Sequence, residues 1–458
     1  MDAPERAGEI VPDVHGPFLT PQRPMEILVF MDSNGLSTQL NVETLHGSLT
    51  DPAISSMNLL NELIDEYPVA ISMAAGRPYE EFFDIRLVHE YIDAYCDHLR
   101  TDRKMDEAGV TRTIFQYGTT KGVIADLIAR NLAEDEEIDV APESVVVTVG
   151  AQEAMFLVLR TLRASDRDVL LAPAPTYVGL TGAALLTDTP VWPVRSTENG
   201  IDPEDLVIQL KRADEQGKRV RACYVTPNFA NPTGTSMDLP SRRRLLEVAE
   251  AHGILLLEDN AYGLFGAERL PTLKSLDRSG TVVYLGSFAK TGMPGARVGY
   301  AVADQRMADG GLFADQLSKL KGMLTVNTSP IAQAVIAGKL LLNGFSLVKA
   351  NAREIGIYQR NLRLTLGELD RRLGACDGVG WNTPTGGFFV TVTVPFVVDD
   401  ELLAHAARDH GVLFTPMHHF YGGKGGFNQL RLSISLLTPE LIEEGVSRLA
   451  DLITSRLP

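Results

Sequence analysis

The stretch TVVYLGSFAKTGMPGARVGY occupies residues 281–300. It opens on a continuous apolar run, the mark of a strand covered on both faces. Where that strand ends stands Lys290, among serine, alanine and glycine, and Arg297 follows seven residues later. Neighbours this small leave room for a ligand beside the lysine. A desolvated lysine has a lowered pKa, and its amine becomes nucleophilic toward carbonyls. The forked guanidinium of Arg297 suits an anion such as phosphate. A surface lysine in a glycine-rich loop is the plainer alternative, so the rest of the chain has to decide.

Six further runs read the same way: SVVVTVG (144–150), DVLLAPAP (168–175), VWPV (191–194), RACYVTP (221–227), ILLLED (254–259) and RVGYAVA (297–303). Helical segments such as AQEAMFLVLRTL (151–162) and LPSRRRLLEVAEAHG (239–253) separate them. The alternation predicts an α/β fold, a large domain with a mostly parallel seven-stranded sheet sandwiched by helices. Beyond about residue 325 the pattern changes. A long helical stretch, two strands (GGFFVTVTV, 386–394; LRLSIS, 430–435) and a last helix predict a smaller α+β domain. The expected divisions are an arm at 1–45, partly disordered; a segment at 46–75, with helical periodicity at 54–64, packing on the small domain; a large domain at 76–325; and a small domain at 326–458.

The chain of 458 residues has 42 Lys and Arg against 59 Asp and Glu, a net charge of −17. That balance repels phosphate backbones and counts against nucleic-acid binding. No apolar run is long enough for a bilayer, and the N-terminus lacks the apolar stretch of a signal peptide. Cys96, Cys223 and Cys376 show no paired spacing. A cytoplasmic protein with no membrane partner is expected. Neither GxGxxG nor GxxxxGK[ST] occurs. SFAK and KTG match two motifs of penicillin-binding proteins, but they overlap on one lysine and no S-D-N accompanies them, which sets that reading aside.

In open parallel sheets ligands bind beyond the carboxyl ends of the strands. The polar residues at those ends include Gly150, Ala151, Gln152, Tyr177, Asn231, Asp259, Tyr262, Ser287 and Lys290. A glycine between strand and helix lets backbone N–H groups approach an anion, although tight packing also explains it. A carboxylate ending a buried strand, as Asp259 does, is costly unless paired; helix capping is its alternative use.

Four motifs then stand in one order: NPTG (231–234), EDNAY (258–262), SFAK…PGARVGY (287–300) and NQLRLSIS (428–435). Together they resemble the class I/II, fold type I, pyridoxal-phosphate-dependent aminotransferases over about residues 50–455. The resemblance implies that Lys290 carries pyridoxal 5′-phosphate as a Schiff base and serves as general base and acid. It implies that Arg297, Ser287, Gly150, Ala151 and Gln152 hold the phosphate, that Tyr177 stacks on the ring and that Asp259 pairs with the ring nitrogen. Asn231 and Tyr262 would bond the ring oxygen. Arg431 would take the substrate α-carboxylate, with Gly76 and Asn231 beside it. Tyr117 would reach the phosphate of a neighbouring subunit, implying a homodimer with shared sites.

The implied reaction moves an amino group between an L-amino acid and a 2-oxo acid. A lyase or a β/γ-replacement enzyme on the same fold needs the same residues. A non-catalytic regulator would need a DNA-binding segment ahead of the fold, and residues 1–45 show no paired helical pattern. HGSLTDPAISSMNLLNE with AAGRPYEEFFD is similar to the arylglycine-forming branch of antibiotic biosynthesis, and more loosely to aminoadipate and aromatic enzymes. Two departures stand out. Ala289 replaces a hydroxyl residue, and PMHHFY (416–421) brings in His418 and His419. Packing or substrate contact is expected of these histidines. Metal binding is not, because no partner carboxylate or cysteine stands nearby.

Overall fold

A computed structural model describes residues 28–32, 35–51, 54, 65–291 and 293–457. The helical pattern read at 54–64 lies outside the described residues save Ile54. Within the expected arm, β1 (Leu28–Asp32) and β2 (Gly35–Gln39) pair antiparallel. A two-residue strand, β3 (Ile71–Ser72), follows.

The main sheet comprises β4 (Val145–Thr148), β5 (Asp168–Ala174), β6 (Val191–Thr197), β7 (Gly200–Ile201), β8 (Arg219–Val225), β9 (Leu255–Asp259), β10 (Val282–Ser287) and β11 (Gly299–Val302). Its order is β4-β11-β10-β9-β8-β5-β6-β7. All seven expected strands are present. The eighth, β7, is two residues folded back on β6, too short to register as a run of its own. The pairs joining β10, β9, β8, β5 and β6 are parallel, and β11 runs antiparallel between β4 and β10.

The sequence explains the layering. Val145–Val147, Leu256, Leu257, Val282 and Val283 are all fully buried, as strands covered by helices on both faces must be. Burying each such side chain stabilises by roughly 1.5–3 kcal/mol. The helix Gly150–Leu162 turns Ala154, Leu157 and Val158 onto the sheet. Leu239–His252 starts where the Asp238 carboxylate caps the Ser241 N–H at 2.8 Å, with Pro240 in its first turn.

The second unit is a four-stranded sheet of β12 (Gly380–Trp381), β13 (Phe389–Thr393), β15 (Thr415–Pro416) and β16 (Gln429–Ser433), in the order β12-β13-β16-β15. The two-residue β14 (Val412–Leu413) pairs instead with β3. Ile71 and Met73 join the core of this unit, together with helices Ala352–Leu373 and Pro439–Thr454. The change of pattern read near residue 325 does not coincide with a change of packing. Pro330–Leu342 packs on Ile85–Thr101 and buries Ala334, Ile336, Ala337 and Leu340 against the main sheet.

Candidate active site

A cavity of about 340 Å³ opens beyond the carboxyl ends of the parallel strands, between the main sheet and β16. Gly76, Ala151, Gln152, Tyr177, Asn231, Asp259, Tyr262, Ser287, Lys290, Arg297 and Arg431 all line it. Gly150 adjoins it through Arg297. Tyr117 does not line it and is 82% exposed.

Lys290 follows β10, half-buried, and donates from Nζ to the Gly76 carbonyl at 2.5 Å. Loss of water around the amine, then the positive charges of Arg431, Arg297 and Arg77, lowers its pKa to about 8. Its Nζ stands 5.9 Å from the centre of the Tyr262 ring.

Asp259 ends β9. Its Oδ2 accepts from the Tyr224 hydroxyl at 2.7 Å, while its buried Oδ1 has no partner. Burial raises it to about 6, against the hydrogen bond from Tyr224, which lowers it. A half-satisfied buried carboxylate fits a ring N–H brought by a ligand.

Arg297 stands in the left-handed region (φ 51°) just before β11, whose Gly299 pairs with both Ser287 and Thr148. That register brings the arginine against Gly150. Gly150 has φ 73°, and a Cβ there would lie 2.6 Å from Arg297 Nη2. Only glycine leaves guanidinium and helix N-terminus open to one anion. A Cβ on Gly179 would lie 2.3 Å from the Tyr177 ring, so this second glycine lets that ring fold back over the chain. These features fit the phosphate, the ring and the aldehyde of pyridoxal phosphate.

The motif LRLSIS makes a second wall by strand alternation. Leu430, Leu432 and Ile434 enter the core, and the alternate residues grip the segment AAGR. Arg431 Nη2 donates to Ala74 O at 2.7 Å, Ser433 Oγ to Ala75 O at 2.9 Å and Ser435 Oγ to Arg77 O at 2.5 Å. With Lys290 on Gly76, four successive carbonyls are held. Arg431 also donates to Asn231 Oδ1 at 2.6 Å and to Thr415 Oγ1 at 3.0 Å. Its Nε is buried without a partner, and Phe389 and Phe420 cover the guanidinium at 4.4 and 4.9 Å. Desolvation lowers its pKa to about 10.

The expectation that no carboxylate stands near His418 and His419 is overturned. Asp400, remote in sequence, accepts from His419 Nε2 at 2.7 Å and lies 3.7 Å from His418 Nε2. The three ligand atoms lie within 4.8 Å of one another. His418 is sandwiched between His419 and Phe427 (centroids 4.1 and 5.1 Å), and only His419 reaches the cavity. Tyr224, Phe389 and Arg77 are further lining residues that the sequence reading missed.

The fold and this site define a pyridoxal-phosphate-dependent aminotransferase. The family model for aminotransferase class I and II matches residues 75–449, and the chain belongs to that family. It is 89% identical over 433 residues, 94% of this chain and 99% of the relative, to the (S)-3,5-dihydroxyphenylglycine transaminase of Amycolatopsis orientalis. Among solved structures it is similar to the multiple substrate aminotransferase of Thermococcus profundus, with a TM-score of 0.75 and 29% identity over 88% of this chain and 95% of that one. It is also similar to the α-aminoadipate aminotransferase of Thermus thermophilus, complexed with N-(5′-phosphopyridoxyl)-L-leucine. There the TM-score is 0.72 and the identity 32%, over 89% and 97% of the two chains. No helix among the described residues is long and apolar enough to cross a membrane.

Proposed function

We propose that this aminotransferase exchanges the amino group of (S)-3,5-dihydroxyphenylglycine, or a close arylglycine, with that of a 2-oxo acid. The observation that carries this reading is the 89% identity to the Amycolatopsis transaminase. Phe389, Phe420 and Tyr177 give the cavity aromatic walls, and His419 adds a polar group, which suits a hydroxylated ring.

In this reading Arg431 takes the α-carboxylate as a bidentate pair, with Gly76 and Asn231 beside it. Its unpartnered Nε supports that role. Lys290 holds the cofactor between turnovers, and Asp259 Oδ1 receives the ring N–H. Tyr262 and Asn231 bond the ring oxygen, and Tyr177 covers the ring face. Gly150, Ala151, Gln152, Ser287 and Arg297 grip the phosphate. Bound pyridoxal phosphate supplies the carbonyl carbon that takes up the amino group and a ring that withdraws electrons. Lys290 Nζ, in its neutral form, takes the proton from the substrate Cα and later returns one. Arg431 fixes the Cα–H bond toward that amine by holding the carboxylate.

We further propose a homodimer in which Tyr117 of a second copy completes each phosphate site; the exposure of Tyr117 supports this. A cytoplasmic place in antibiotic biosynthesis is part of the same reading, supported by three free cysteines and by the relative's substrate. The division stays a large cofactor domain read at 76–325 and a small one at 326–458 with 46–75, except that Pro330–Leu342, which packs on Ile85–Thr101, is assigned to the large one.

The test mixes the yellow holoenzyme with single L-amino acids and follows loss of the cofactor's aldehyde absorbance. (S)-3,5-Dihydroxyphenylglycine is expected to give the highest second-order rate constant in a panel with phenylalanine, tyrosine, alanine and leucine. A faster reaction with any of these four would overturn the substrate assignment.

A further inference from the structure

Asp400 and His418 take no part in the proposed reaction, and His419 only lends the cavity a polar group. Yet the three bring one carboxylate and two imidazoles together, with their ligand atoms within 4.8 Å of one another. Two histidines and a carboxylate are a donor set that zinc takes, with water in the fourth position. The two histidines stand differently to the carboxylate. His419 Nε2 donates to Asp400 Oδ1 at 2.7 Å, an ordinary hydrogen bond. His418 Nε2 faces the same oxygen at 3.7 Å, too far for one. Its Nδ1 is buried without a hydrogen bond, although the Val398 backbone is near enough to act on the ring.

A largely buried imidazole whose two nitrogens both stop short of a hydrogen bond among the described residues is costly. An ion shared with Asp400 and His419 would give Nε2 its partner. Around a tetrahedral zinc with bonds of about 2.0–2.1 Å, two ligand atoms lie about 3.4 Å apart. The 3.7 Å pair is near that separation, and the 2.7 Å pair has to open by about 0.7 Å. The rings are held in advance. His418 lies between His419 and Phe427, at centroid distances of 4.1 and 5.1 Å, and is 6° from parallel with Phe427. The backbone around them is tied, because Gly423 N donates to His418 O at 3.2 Å and Thr176 N to Phe420 O at 2.9 Å. The histidine side chains are 13% and 9% exposed and Asp400 is 44% exposed, so an ion enters from the carboxylate side. Asp399 and Glu401 flank Asp400 and add to the negative field that draws a cation.

We propose that Asp400, His418 and His419 form a site for one divalent transition-metal ion of the zinc class. The ion joins the helix Asp400–His405 to the segment Met417–Tyr421. Phe420 of that segment covers the Arg431 guanidinium at 4.9 Å, and His419 lines the cavity. The site is separate from the cofactor contacts and braces the wall that carries Arg431.

The probe is the zinc ion alone. Holoenzyme without a polyhistidine tag is stripped with a chelator and dialysed against micromolar zinc, and bound zinc per chain is measured by atomic emission. One equivalent is expected for the wild type. His418→Phe keeps the stack on Phe427 and removes both ring nitrogens. It and Asp400→Asn are each expected to weaken zinc binding by about 100-fold or more. His405→Gln breaks the separate pair of His405 with Asp409 and is expected to leave zinc binding unchanged. Retained cofactor absorbance reports that each variant is folded, and His418→Gln replaces His418→Phe under the same criterion where the latter loses its cofactor. Zinc uptake by the wild type no greater than by the His418 variant, or wild-type affinity in Asp400→Asn, overturns the proposal.

Discussion

The Tyr224 hydroxyl donates to Asp259 Oδ2 at 2.7 Å and leaves Oδ1 buried and open to the cavity. Thr226 Oγ1 in turn donates to the Tyr224 oxygen at 3.3 Å, so the tyrosine is itself oriented. One carboxylate oxygen is fixed by the protein, and the other is kept for the ligand. Asp259→Ala removes the partner of a buried cation. That costs about 3–5 kcal/mol, or roughly two to four orders of magnitude in turnover. The phosphate grip is untouched, so cofactor retention is expected to fall far less. Tyr224→Phe should cost about one order of magnitude. Measuring kcat together with cofactor content separates these; equal losses in both for Asp259→Ala would make the residue a structural cap.

Tyr224 shows where the sequence reading stopped. The run RACYVTP was legible as a buried strand because its apolar residues are continuous. Its register against ILLLED was not legible. Tyr224 pairs with Leu257, and only that pairing brings the hydroxyl to Asp259. The same holds for the Asp400–His419 bond and for the clamp of residues 74–77 by β16. Each joins segments whose nearness is a property of the fold rather than of spacing along the chain. Lys290, Arg297 and Asp259 were legible as candidates because each stands at or beside a strand end, whereas Arg431 entered only through the resemblance of NQLRLSIS to the family.

Gly150→Ala isolates the phosphate end. The new methyl would stand 2.6 Å from Arg297 Nη2, and the backbone at φ 73° is strained for any L side chain by about 1–2 kcal/mol. The arginine must move off the helix N-terminus. Titrating the apoenzyme with pyridoxal phosphate is expected to show a dissociation constant raised by about tenfold or more. Turnover at saturating cofactor should be the lesser loss. Wild-type cofactor affinity would remove Arg297 and Gly150 from the phosphate site.

The lowered pKa of Lys290 has a consequence for pH. Its folded value of about 8 lies below the ordinary 10.5, so the neutral amine accumulates above about pH 8. Capture of pyridoxal phosphate by the apoenzyme requires that neutral amine. Its rate should rise with pH through about 8 and then level. Arg431 is the largest charge contribution to the shift, so Arg431→Met should move the midpoint upward. In the folded apoenzyme Lys290 binds fewer protons than in the unfolded chain between about 8 and 10.5. Its contribution to stability therefore becomes more favourable as pH rises through that window. A capture rate still climbing toward pH 10.5 would show an amine that the fold does not desolvate.

Offered one amino acid and no 2-oxo acid, the enzyme is expected to turn over once and stop. Lys290 Nζ takes the Cα proton, and in amino transfer it returns that proton to the cofactor side, so the amino group stays with the enzyme. The aldehyde absorbance is then lost in proportion to sites, and one equivalent of 2-oxo acid appears. An elimination or replacement enzyme would instead expel a group from the substrate side chain, regain its aldehyde form and continue. Such a reaction needs an acid placed toward the substrate's β-carbon to assist departure. Among the described residues the one carboxylate lining the cavity is Asp259, and its Oδ2 is already held by Tyr224 on the side of β8. An arylglycine adds a chemical reason, since its β-carbon is part of an aromatic ring and carries no leaving group. The measurement is a stopped-flow trace at the cofactor absorbance together with a product assay. Lys290→Ala is expected to take up free cofactor yet leave none attached to protein after borohydride. Continued product release from a single amino acid, with the yellow form regenerated, would contradict amino transfer while leaving every cofactor contact described above intact.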